Sequence, residues 1–127
     1  MNRTIKFKFW DWDKRKMIAG VPAMNLTIGH LNVNAYVPLQ STGLQDKNGI
    51  DVFEGDILET EQTQIRDMAD KDPYHRVVKW DNEEGGFTFY WNDNKTKQTS
   101  GWKFCENTLK SNFRIIGNVF EDTKFLR

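Results

Sequence analysis

The 127-residue chain holds one cysteine, Cys105, and two histidines, His30 and His75. A single thiol excludes an internal disulfide framework and fits a reducing compartment. These three side chains are the only soft metal-ligand candidates, and they lie far apart, without the close spacing of a zinc site. No metal or other cofactor is therefore expected. Long apolar runs are also missing. Nothing approaches the roughly 18 apolar residues of a membrane span, and the basic opening, Met1 to Trp12, has no stretch fit for a signal peptide. A cytoplasmic protein is expected. Neither sign of charge is in excess: 18 basic and 18 acidic residues give a formal net charge of zero. That balance argues against tight, sequence-blind duplex binding, which needs a net basic face. Locally the charge is uneven, with six basic and two acidic residues in 1–39 but three and nine in 40–72. Ordinary solvated faces explain such unevenness; complementary patches in an oligomer are the sharper alternative.

What the chain does have is aromatic residues, 13% of the total, a bias that suits strands. Its length is that of one domain able to bury a core without staples. Ile5, Phe7 and Phe9 alternate with lysines, the period of a half-buried strand. A turn at 11–15 follows, flanked by Trp10 and Trp12, which either pack at the strand end or form an exposed contact site. Leu26 and Ile28, then Leu31 to Val37, suggest two further strands, the second ending near Pro38. Residues 59–72 are the one plausible helix, stopped by Asp72-Pro73, or else a mobile acidic insertion. Val77 to Trp80 and Phe87 to Trp91 bracket a Gly-rich turn and read as a hairpin, with Trp80 and Phe87 paired across it. Trp102 and Phe104 alternate with Lys103 and Cys105 as a short strand, 106–112 is a single helical turn, and 113–120 is the last strand. Many short antiparallel strands with at most one helix indicate a mainly β protein built as a small barrel or roll.

The densest turn chemistry lies in 40–59. Asp46-Lys47-Asn48-Gly49 is one turn and Glu54-Gly55-Asp56 a tighter one. This stretch, Gln40 to Leu44, Asp46 to Gly49 and Glu54 to Ile57, resembles the signature of the YopX family, small proteins carried by bacteriophages and prophages. Supporting matches lie at Phe7, Phe9 to Asp11 and Lys16-Met17, at Val78, Trp80, Asp81 and Phe87, and at Ile116 to Glu121. Ile50 and Asp122-Thr123 depart from the usual pattern, which bears on local turns only. The resemblance implies an SH3-type barrel over 40–127, with 1–39 as an N-terminal β-rich appendage of the same single domain.

No catalytic constellation emerges. Cys105 has no histidine beside it in sequence and reads as a small filler. Paired carboxylates such as Glu54 and Asp56 are too common to be informative, and Asp56 reads as a backbone cap. No phosphate loop or dinucleotide fingerprint occurs. The motif residues are structural: Gly43, Asp46, Asn48, Gly49, Glu54, Gly55, Asp56, Trp80, Phe87 and Gly117. The expected role is non-enzymatic, a phage or prophage accessory protein that binds a phage or host protein or a second copy of itself. The alternative is a single-stranded nucleic-acid binder that stacks bases on Trp80, Phe89, Trp91 and Trp102 beside Lys79 and Lys103.

Overall fold

In the computed structural model, the residues described are 6–22, 36–61, 74–99 and 102–126. Eight strands run through them: β1 (Lys6–Asp11), β2 (Lys16–Pro22), β3 (Tyr36–Gln45), β4 (Asp51–Phe53), β5 (Asp56–Glu59), β6 (His75–Asp81), β7 (Gly86–Trp91) and β8 (Arg114–Asn118). They form two four-stranded antiparallel sheets, ordered β2-β1-β3-β4 and β7-β6-β5-β8. The chain passes from the first sheet to the second through Glu54 and Gly55. The two curled sheets make a mainly β, barrel-like fold, as the strand count and alternation indicate.

Side-chain alternation explains the core. Across the β6–β7 hairpin Val78 faces Phe89 and Trp80 faces Phe87. Val78 and Phe89 join Val52, Leu58, Leu109 and Phe113 in one buried cluster, against which Phe87, Phe104 and Trp102 pack. Phe89 is its centre, 4.9 Å from the Phe113 ring and 5.0 Å from Phe104.

Several expectations need correction. The strand that should end near Pro38 instead runs through it to Gln45. β1 pairs with β3 at Tyr36 to Gln40, while β4 pairs with it only from Ser41 onward. One side of β3 is thus free of strand partners at Pro38, and a residue without an N–H is tolerated there. The division at residue 39/40 falls inside this same strand. The helix read at 59–72 does not begin at Glu59, which closes β5; residues 62–73 lie outside those described, as do the strands read between 26 and 35. The α-helix of the described residues is α1, Glu106–Asn112. It coincides with the helical turn expected at 106–112, buries a single apolar side chain, Leu109, and carries one i,i+4 ion pair, Glu106–Lys110 at 2.7 Å. Residues 102–105 are irregular rather than a strand, and Cys105 sits at the N-cap of α1.

Candidate functional site

The first turn of the central stretch is built around a carboxylate. Asp46 is 1% exposed. Its Oδ1 accepts from the N–H groups of Asn48 (2.9 Å) and Ile50 (3.0 Å), and its Oδ2 from Ile115 N–H (2.9 Å). Gly49, at φ +77°, closes the turn by donating to Asp46 O. Lys47 N–H donates to Phe113 O, so the turn is tied to the junction of α1 and β8. The local bonds follow from Asp-Lys-Asn-Gly; the bond to Ile115, 69 residues away, has no sequence signal.

The second turn carries Glu54 and Asp56 on either side of Gly55. Asp56 is buried; its Oδ2 accepts from Phe53 N–H at 2.7 Å and its Oδ1 lies 3.9 Å from Lys8 Nζ. Burial pushes its carboxyl up to about 6, against the pull of Lys8 and the Phe53 amide, with Asp46 adding to the rise. A folded-state value above the unfolded one means that the native state holds the proton more tightly. This group therefore lowers stability as pH rises from about 4 to about 6. The Asp56→Asn variant keeps an oxygen for Phe53 and removes the titration. In paired urea melts, the stability of the parent chain should fall relative to this variant by about 2–3 kcal/mol across that window. Parallel stability curves for the two proteins would refute this account of Asp56.

Gly55 adopts φ +86°. Its N–H donates to Val78 O (2.8 Å) and its O accepts from Val119 N–H (2.9 Å), which fastens the turn to β6 and to the segment after β8. A Cβ at this position would meet Val119, Phe120 and Leu39 only at ordinary contact distance, so backbone conformation rather than space selects glycine. Gly55→Val should lower stability by about 1–3 kcal/mol; an unchanged melting temperature would show that the turn tolerates a side chain.

Next to this turn lies an open groove of about 180 Å³. The free side of β3, Val37 to Leu39, forms one wall and Val119 with Phe120 another, over Gly55 and Val78; Glu54, Lys79 and Asn94 supply its polar atoms. Burial raises the Glu54 carboxyl, although the Gln40 N–H and the Lys79 charge draw it down. Among the described residues no cation lies within ion-pair distance of it. Lys79 Nζ donates to Asn94 O at 3.1 Å and lies over the Tyr90 ring. The aromatic wall extends outward: Phe120 stacks on buried Trp10 at 5.4 Å and meets Trp12 edge-on at 5.8 Å. Trp12 is 50% exposed. Of the two readings of this tryptophan pair, Trp10 takes the packing role and Trp12 remains open to solvent.

The other motif residues lie away from the groove. Trp80 and Phe87 meet edge-on at 5.2 Å, but Trp80 is 44% exposed, so the core face of the hairpin runs out before its tip. Trp91 is buried beneath the Arg76 guanidinium, and Trp102 packs on Phe113. The aromatic surface considered for base stacking is thus largely interior. Gly43, at φ +80°, lies where the β3–β4 register shifts. At Gly117 a Cβ would come within 2.8 Å of Asp122 Cβ, because the Asp122 side chain folds over it to accept from Asn118 N–H. Cys105 contacts Thr108, whose hydrogen bonds lower its thiol pKa, whereas His75 pairs with Glu59 and lies against Phe125. His30 lies outside the described residues. Among those described, no three His, Cys, Asp or Glu residues converge to hold a metal ion, and no helix is long and apolar enough to cross a membrane.

Comparison with known proteins gives a match to a family model and matches to three solved chains. The family model described as "YopX protein" matches residues 24–127. A crystal structure of protein EF1440 from Enterococcus faecalis is similar over 99% of this chain and 100% of that one, with 21% identity and a TM-score of 0.66. That likeness concerns the fold. A search of curated proteins returns no match.

Proposed function

The chain belongs to the YopX family, and on that footing we propose that it is a non-enzymatic protein-interaction module, an accessory protein of a phage or prophage acting in the host cytoplasm. The groove beside Gly55 carries this reading. It is lined mostly by apolar residues, holds few polar groups, and its Phe120 meets an exposed tryptophan, a composition suited to a segment of another protein. Large aromatics that are rigid and partly exposed are the usual anchors of such contacts. A second copy of the chain is one candidate partner, since residues 1–39 are basic and 40–72 acidic. Sedimentation velocity at rising concentration tests this. Self-association that weakens with salt and in Trp12→Ser supports assembly; a monomer at every concentration removes the second copy and leaves a phage or host protein as partner.

The competing reading, a single-strand nucleic-acid binder, draws on exposed Trp80 beside Lys79, but Trp91 is buried and Trp102 is half-buried against Phe113. Fluorescence anisotropy with labelled single-stranded DNA and RNA at two salt concentrations separates the two. Micromolar binding that falls with salt would overturn the protein-interaction reading.

A further inference from the structure

Glu54 and Asp56 flank the same glycine, and the fold treats them differently. Asp56 is served from within the chain: Lys8 lies 3.9 Å from its Oδ1 and sits over the Phe53 ring, 4.4 Å from the ring centroid. A carboxylate, a cation and an aromatic face thus meet on the inner side of the turn. On the outer side Glu54 lines the groove, and Phe120 supplies an aromatic wall. Two of the three parts recur there; a cation in ion-pair contact with the carboxylate does not. Lys79 lines the same groove, but its ammonium is engaged by Asn94 O and the Tyr90 ring and makes no ion pair with Glu54.

We propose that the groove takes one arginine side chain from an extended segment of a partner protein, with the Glu54 carboxylate as its anchor and Phe120 as the face on which the guanidinium lies. This rests on the protein-interaction reading above and specifies what the groove selects. A half-buried carboxylate that feels the Lys79 charge but makes no ion pair is incompletely compensated for the water it has lost, and a planar guanidinium restores that compensation while keeping contact with an aromatic wall. The flanking walls, Val37 to Leu39 and Val119, suit the methylene stem of such a side chain. Lys79 opposes added positive charge in the groove, so the favoured segment carries no more than one basic residue among apolar neighbours.

The test is an NMR titration of the ¹⁵N-labelled full chain with N-acetyl-arginine methylamide and, separately, N-acetyl-norleucine methylamide. The arginine probe should shift the Gly55 and Val119 amides and bind about fivefold more tightly than the norleucine probe. Glu54→Gln, which keeps an acceptor for the Gln40 amide, should abolish that preference while retaining native amide dispersion. Equal affinity for both probes in the parent chain would overturn the arginine assignment and leave an apolar protein-binding groove intact. A preference that survives Glu54→Gln would place the cation elsewhere and also overturn it. No shift with either probe would remove the groove as a binding site altogether. The parent-chain comparison decides the matter even if the variant does not fold.

Discussion

Asp46→Ala is expected to lower stability by about 3–5 kcal/mol, a large effect for a polar side chain. The substitution removes the acceptor of three N–H groups at once, those of Asn48, Ile50 and Ile115. Two of these shape the turn and the third belongs to β8, so a local and a distant element loosen together. Hydrogen bonds to a charged acceptor contribute more than neutral ones, and buried donors left without a partner lose their hydration uncompensated. Asp46→Asn separates the two oxygens. Its amide keeps one acceptor, but the NH2 group must face either the Asn48 and Ile50 donors or the Ile115 donor. Its loss should therefore be intermediate, by equilibrium urea unfolding. A loss below about 1 kcal/mol for the alanine variant would mean that the turn and β8 are held by their other contacts.

Phe113→Ala should cost a similar amount, about 3–5 kcal/mol, for a different reason. Phe113 is 0% exposed and its ring lies against Phe89 and Trp102. Truncation leaves a cavity whose surroundings cannot collapse easily, because Phe113 lies between α1 and β8 and its carbonyl accepts from Lys47 N–H. Phe113→Leu fills most of that space and should lose only about 1–2 kcal/mol. Urea unfolding of the two variants reads the difference; equal losses would show that ring stacking, rather than volume, sets the stability of the site. Asp46 and Phe113 meet at one junction, so the doubly substituted chain is expected to be non-additive.

What the sequence made legible was short-range. The hairpin of 75–91 could be read because alternation and a Gly-rich turn agree, and the Asp46 and Gly55 turns because Asn and Gly tolerate positive φ. The helical turn expected at 106–112 is α1 itself, although its Leu109 is the single apolar residue it buries and one point sets no period. Pro38 misled because proline reports on a missing donor, whereas the strand continues where that donor faces no neighbour. The candidate groove was illegible for a related reason. Its walls come from 37–39, 54–55, 78–79, 94 and 119–120, brought together by bonds such as Gly55 to Val78 and Val119 to Gly55. Glu54 looked like one carboxylate among many; only its place in a groove with Phe120, within reach of the Lys79 charge but outside any ion pair, distinguishes it.

The family match begins at residue 24, so the hairpin of β1 and β2 lies outside it. Yet β1 pairs with Tyr36 to Gln40 in unbroken register, five pairs in all. The hairpin thus acts as a guard on an edge. Without it, the peptide groups along the first half of β3 would present a ready template for another chain's strand. A chain begun at residue 24 is therefore expected to associate through that exposed ladder, and light scattering against the full-length protein would register it. Equal scattering from both would mean that the edge is blunted by other means. In this protein the first strand thus covers the edge of β3, as well as contributing Phe9 and Trp10 to the interior.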